Sequence, residues 1–387
     1  MRERAILHSD ANCFYASVET VLNPELRDKA VAVCGSTEER HGIVLAKSEK
    51  AKRAGVKTGM ANWQARDCCK DLICVPPQYE YYLKFSRFLH RIYQRYTDQV
   101  EPFGMDECWL DVTDSQGDPM QIAEEIRQAA KDELGLTVSI GVSFNKIFAK
   151  LGSDMKKPDA ITQITRGDFK EKIWHLECSE LLYCGRATTA KLGSIGVYTI
   201  GDLARLPVEV MQRKLGKNGV MLWKYANGLD ESRVAHQDYT APAKSVGHGI
   251  TCVADLLTPD EAKKVIVALS QDIGYKLRLM NLRACAVQLY VRDNNLNGYG
   301  WQARLEFPTQ DECTIAREAY RILESRYIWR NAIRALTVSA IQLENADIPT
   351  QLGLFYDNAA HERRERLNRT VDTIRDSFGK HAIVPAI

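Results

Sequence analysis

Three acids carry the chemistry that this 387-residue chain offers. Asp106 and Glu107 are neighbours inside the apolar run PFGMDECWLDVT, and Asp10 ends the strand-like run RAILHSD. On a regular strand adjacent side chains point to opposite faces, so one of the pair would enter the core. A lone buried carboxylate is costly unless something pairs with it. A turn over Met105 to Cys108 lets both acids face the mouth of a sheet beside Asp10, which precedes a helix at another strand's end. Three like charges in one place call for divalent cations, and hard oxygen donors favour Mg²⁺ or Mn²⁺ over zinc. Two such ions about 4 Å apart form a phosphoryl-transfer clamp. Any one of these acids alone reads as a turn or cap residue; the pair together with a third acid at a separate strand end is what weighs against that. Asp111 reads as a structural hydrogen-bonding residue at the strand end.

The elements that must position these acids follow from periodicity. RAILHSDAN reads as a buried strand, CFYASVETVL as the next helix, and KAVAVCG as a second strand. GIVLAKSEKAKRAGVKTGM reads as a short strand and a basic helix ended by Gly55. In YEYYLKFSRFLHRIYQRYTDQV, Tyr82, Phe85, Leu89, Ile92 and Tyr96 recur near helical spacing. A hairpin around the acid pair, the helix PMQIAEEIRQAAKDELG and the strand TVSIGVSF complete a mixed sheet with helices. From about Phe169 short helices and Gly-rich turns take over, and GLDESRVAHQDYTAPAK reads as a linker. Beyond it the order is strand, helix, strand, strand, helix, strand: a βαββαβ unit. In the C-terminal tail Leu367, Val371, Ile374 and Phe378 form one helical stripe.

Composition sets the outer bounds. The net charge of +2 permits a nucleic-acid partner without arguing for one. The 11 cysteines form no C-x-x-C pair and no zinc-like spacing, so they read as reduced thiols. The start MRERAILHSDANCFYASVE is not a secretory signal, and no segment is long enough to span a membrane. A cytoplasmic protein is expected.

Four motifs in order, HSDANCFYASVE, GIVLAKSEKAKRAGVKTGM, GMDECWLDVT and SIGVSFNKIFAKLGSDMKKPDAI, resemble those of the Y-family DNA polymerases, the translesion group. The resemblance implies an α+β multidomain right hand. Its palm is expected at 1–19 and 78–168, fingers at 20–77, and a helical thumb with a helix-hairpin-helix at 169–230. A linker at 231–243, a βαββαβ little finger at 244–345 and a tail at 346–387 would follow. It implies Asp10 and Asp106 as ligands of two Mg²⁺ ions (Mn²⁺ as substitute), Glu107 as ligand of the ion near the primer 3′-hydroxyl, and the Ala11 carbonyl as a backbone ligand. Tyr15 falls at the steric gate, where a ring under the sugar would clash with a 2′-hydroxyl. Lys157, with Lys156 beside it, matches the triphosphate-binding lysine. The fingers depart from the pattern: where many members carry a tyrosine and an arginine, this chain has Ser48 or Glu49 and then Lys52, which supplies charge without a bidentate fork.

For DNA, LLYCGRATTAKLGSIGV resembles a helix-hairpin-helix whose amides, at Gly185 and Arg186, would meet a phosphate. Lys244, Arg278, Arg283, Arg292, Arg304, Arg330 and Arg334 would supply a backbone-gripping stripe on the little finger. QLGLF resembles the peptide that engages the bacterial sliding clamp: Gln351 for polar anchoring, with Leu352, Leu354 and Phe355 for an apolar pocket. The expected activity is template-directed transfer from a dNTP to a primer, by a monomer acting on primer-template DNA with no membrane partner. A non-catalytic DNA-binding or clamp-associated scaffold and a palm-type nucleotide cyclase are the alternatives from other classes.

Overall fold

Every position of β1 (Ile6–Ala11) is buried, because it runs through the middle of a sheet with helices packed on it. Cys13, in the left-handed region at φ 50°, turns the chain into α1 (Phe14–Leu22). Next come β2 (Val31–Cys34), β3 (Val44–Lys47), α2 (Glu49–Arg53), α3 (Asn62–Cys68) and β4 (Ile73–Val75). The three strands make a small sheet, β3-β2-β4, with its own core of Ala32, Val44, Ala51, Val56 and Ala65. The chain continues through α4 (Tyr79–Tyr93), β5 (Val100–Pro102), β6 (Glu107–Asp111), α5 (Pro119–Leu134), β7 (Val138–Ser143), α6 (Lys146–Met155) and β8 (Ile161–Ile164). The main sheet has the order β5-β6-β1-β7-β8, with β1 antiparallel to both neighbours. Tyr82, Leu89 and Ile92 are buried as their spacing predicts, but α4 ends at Tyr93, so Tyr96 lies beyond the helix.

Helix α6 lies close against the sheet because Gly141 on β7 carries no side chain: a Cβ there would meet the Ala149 carbonyl oxygen at 1.8 Å. The helices α7 (Phe169–Ile173), α8 (Arg186–Gly193), α9 (Ile200–Arg205) and α10 (Val208–Ala226) follow, the last broken at Gly216. Their apolar core takes in Phe144, Ile147, Phe148 and Leu151, so α6 is shared between the sheet and this helical layer.

The βαββαβ reading holds throughout: β9 (Ser245–Leu256), α11 (Pro259–Leu279), β10 (Leu282–Asp293), β11 (Gly298–Thr309), α12 (Glu312–Arg326) and β12 (Ile333–Asn345). These strands form one antiparallel sheet, β11-β10-β12-β9, covered on one face by both helices. A last helix, α13 (Asn358–Phe378), docks on them. Arg278 is held between Glu312 at 2.7 Å and Asp372 at 2.5 Å, and Asn368 donates to Asp311 at 3.1 Å. Arg278 is therefore taken up by ion pairs in the helical layer and is not part of an open cationic stripe. Arg283 pairs with Glu344 at 2.8 Å.

The computed structural model describes residues 3–40, 42–349, 358–379 and 382–383. It divides into two units, Met1–Gly35 with Gly42–Tyr239, and Ser36–His41 with Thr240–Ile387. Gln351, Leu352, Leu354 and Phe355 lie outside the described residues.

Candidate active site

The acids meet through strand register. Asp10 on β1 stands directly opposite Glu107 on β6, so their side chains share one face of the sheet. The chain turns before Glu107 but earlier than the sequence suggests: Phe103 N–H donates to the Glu107 carbonyl at 2.8 Å, and Gly104 takes φ +95°. Asp106 is thus the last residue of the turn and Glu107 the first of the strand, which frees the pair from strict alternation. The Asp106 carbonyl accepts from Ala11 N–H at 2.9 Å, tying the turn to the end of β1. Asp111 bonds Thr113 through N–H at 3.0 Å and hydroxyl at 2.5 Å, the structural role expected of it.

Like charges directly opposite on a sheet repel, and burial adds to the cost of ionising these acids. Burial, with Glu107 beside it, pushes Asp10 up to about 6 against the pull of Lys157. Asp106 rises for the same reasons, burial first and then Glu107. For Glu107, burial works against ionisation, but the Lys150 ammonium beside it outweighs that and holds the carboxyl below the usual carboxylate range. Lys150 Nζ lies 2.5 Å from Glu107 Oε2, and Lys157 Nζ lies 2.6 Å from Asp10 Oδ2. Among the described residues no three His, Cys, Asp or Glu side chains are closed around a single point. The donor set, three mutually repelling, partly buried carboxylates, nevertheless fits a hard divalent cation.

Behind Glu107 sits the fully buried His8. Ser153 Oγ donates to the Lys150 carbonyl at 2.7 Å, so it accepts from His8 Nδ1 at 2.8 Å, which fixes the hydrogen on Nδ1. His8 Nε2 faces Glu107 Oε2 at 3.3 Å, out of hydrogen-bond alignment. Burial lowers the His8 pKa.

Tyr15, the second residue of α1, stacks on buried Tyr82, and its hydroxyl lies 3.7 Å from Met105 Sδ on the acid-bearing turn. Lys157, the residue that the resemblance gives to the triphosphate, is paired with Asp10. Ser48 caps α2, accepting from Val31 N–H at 3.0 Å and Ala51 N–H at 3.4 Å while donating to the Lys29 carbonyl at 3.1 Å. Ser48 and Glu49 line a cleft of about 340 Å³ with Asn12, Cys13, Thr137 and Pro158. Lys52 is half exposed and 3.6 Å from Glu49. Gly185 caps α8 and Arg186 begins it. No helix among the described residues is long and apolar enough to cross a membrane.

Sequence reading passed over Lys150 and Asp154. The signal was present: they stand four apart on a helix and so share its face, within a motif already singled out for Lys157.

The chain matches the impB/mucB/samB family over residues 9–154 and that family's C-terminal domain over 243–354. Residues 184–230 match a domain described as the DNA polymerase-iota thumb domain. It is 48% identical to a DNA polymerase IV of Acetivibrio thermocellus, over 98% of this chain and 96% of the relative. It is 33% identical to the DNA polymerase IV 2 of Bacillus subtilis, over 100% and 95%. Its fold superposes on that of a Y-family DNA polymerase chimera with a TM-score of 0.78 at 21% identity, covering 87% of this chain and 98% of the other. With the palm-type sheet bringing Asp10, Asp106 and Glu107 together, these matches make the chain a member of the impB/mucB/samB family, the Y-family of DNA polymerases: a DNA-directed, translesion enzyme that depends on divalent cations.

Proposed function

We propose that this polymerase extends a primer on template DNA with dNTPs and that its metal is Mg²⁺. The observation that carries the reading is Asp10 facing Glu107 across two paired strands, with Asp106 on the adjoining turn. Asp10, Asp106, Glu107 and the carbonyl of Ala11 are the residues that would hold two Mg²⁺ ions, with Mn²⁺ as a chemically similar substitute. When bound, such ions supply activation of the primer 3′-oxygen and charge neutralisation at the departing pyrophosphate. Tyr15 sits where its ring selects deoxyribose, and Lys157 contributes a cation for the triphosphate. Ser48 and Lys52 are the fingers residues closest in pattern to the family's triphosphate contacts. Gly185 and Arg186 offer amides to a DNA phosphate, and Gln351, Leu352, Leu354 and Phe355 engage the sliding clamp.

In this reading the palm spans 1–19 and 78–168, the fingers 20–77, the thumb 169–230 and the little finger 244–345, with 231–243 as linker and 346–387 as tail. The protein acts as a monomer in the cytoplasm, in keeping with its free cysteines. A nucleotide cyclase would leave the thumb-type domain without a use, and a non-catalytic scaffold would leave the acids without one. Primer extension with Mg²⁺ tests the proposal: Asp106→Ala is expected to lose activity by on the order of a thousandfold. Extension at the wild-type rate by that variant overturns it.

A further inference from the structure

Two lysines pair with two of the three acids of the site, and both are tied to a fourth carboxylate that the metal reading does not use. Lys157 Nζ lies 2.6 Å from Asp10 and 2.8 Å from Oδ1 of Asp154. Lys150 Nζ lies 2.5 Å from Glu107 and 3.5 Å from Oδ2 of Asp154. Each oxygen of Asp154 therefore faces one lysine, and each lysine spans one site acid and Asp154. The arrangement is held from behind. Asn145 caps α6, Gly141 lets the helix approach β7, and Arg127 at 2.9 Å and Lys131 at 2.6 Å clamp Asp159, two residues past Lys157. Asp154 is 40% exposed, whereas Lys150 is 13% exposed, so the acid can reorient more freely than the lysine it holds.

We propose that Asp154 is a positioning residue that receives Lys150 and Lys157 when divalent cations take their places on Glu107 and Asp10. The inference rests on the metal-site reading above and adds a device to it: a lysine-for-cation exchange. A cation arriving at Asp10 and Glu107 meets two ammonium groups already bound there. With Asp154 present, each lysine moves from one carboxylate to another carboxylate in reach, and neither charge is left unpaired in a partly buried site. Without Asp154, both lysines have only the site acids as anionic partners among these groups, and they compete with the metal. The same exchange leaves Lys157 pointing into the site as a cation for an incoming phosphate, no longer locked on Asp10.

The test measures Mn²⁺ binding to the full chain without DNA or nucleotide, by electron paramagnetic resonance of free Mn²⁺. Thermal unfolding checks that each variant is folded. Asp154→Asn removes the receiving charge at constant shape and is expected to weaken Mn²⁺ binding about five- to tenfold. Lys150→Met removes one competitor and is expected to strengthen it by a similar factor. The double variant is expected between the two single variants, because Lys150 no longer competes while Lys157, 2.8 Å from Asp154, still loses its acceptor. A merely structural role for α6 predicts weaker binding in all three. Unchanged binding in Asp154→Asn, or weaker binding in Lys150→Met, overturns the exchange and leaves the metal site standing. A wild-type protein that binds no Mn²⁺, or an Asp106→Ala variant that binds it as well as wild type, sinks the metal-site reading and the exchange with it.

Discussion

The ring of Tyr15 lies flat on the ring of Tyr82, with centroids 4.2 Å apart and planes 11° apart. Tyr82 is fully buried; its hydroxyl donates to Glu19, whose other oxygen accepts from Gln78 Nε2 at 2.8 Å. The gate candidate is therefore backed by a fixed surface and cannot swing away from a sugar on that side. Tyr15→Ala is expected to admit ribonucleotides, lowering discrimination by about tenfold or more, equivalent to about 1.4 kcal/mol. The readout is the ratio of kcat/KM for a deoxynucleotide to that for its ribonucleotide. An unchanged ratio removes Tyr15 from the role.

Gly141 decides how closely α6 approaches the sheet. A Cβ there would stand 1.8 Å from Ala149 O and 2.6 Å from Ser153 N, both backbone atoms that cannot rotate away. Gly141→Ala is expected to destabilise the protein by about 3 kcal/mol. Since α6 carries Lys150 and Asp154, extension activity should fall at temperatures where the variant is still folded. Denaturant unfolding checks the first effect, and a midpoint equal to wild type would show that the helix shifts without cost.

Asp311 caps α12, accepting from Thr314 N–H at 2.9 Å and hydroxyl at 2.6 Å, and it anchors α13 through Asn368. Burial works against its ionisation, but the hydrogen bonds from Thr314 and Asn368 outweigh it, so its pKa is lowered. A lowered folded pKa means stability that is present above the unfolded value of about 3.9 and lost as pH falls through the folded pKa. Asp311→Ala is expected to cost about 1–2 kcal/mol at pH 7. The gap between the variant and wild type should narrow below pH of about 4. Denaturant unfolding of both proteins at pH 7 and in mild acid checks this; a gap that stays constant would count against the capping role.

Phe355 belongs to the QLGLF peptide, which precedes α13. Truncating the aromatic anchor of such a peptide should remove clamp-stimulated synthesis while leaving clamp-free primer extension intact. Phe355→Ala tested with and without a bacterial sliding clamp decides it, and undiminished stimulation sinks the assignment.

Much of the architecture was legible in the sequence. The βαββαβ unit was readable because its strands and helices are long and together enclose a single core. The acids were legible as a set because charged residues in apolar runs demand partners. Tyr96 was misplaced because its spacing continues the helical pattern after the chain has left the helix, and periodicity does not see an end without a breaker. Arg278 looked like a DNA contact because its partner Asp372 lies on a different helix, 94 positions along the chain.

The sequence by itself determined the order of elements in the βαββαβ unit, the identity of the acids and the family motifs, since these depend on local pattern alone; it did not show α3, β4 or β8. The tertiary structure decided which charges face each other. Asp10 meets Glu107 through antiparallel register, and Lys157 reaches Asp10 from 147 positions away. Register and helix-on-sheet approach are set by packing between elements distant in the chain, where a one-residue slip would turn either acid to the other face. No local pattern carries that information, and so the lysine-paired state of the site, with Asp154 between its two cations, became visible only in three dimensions.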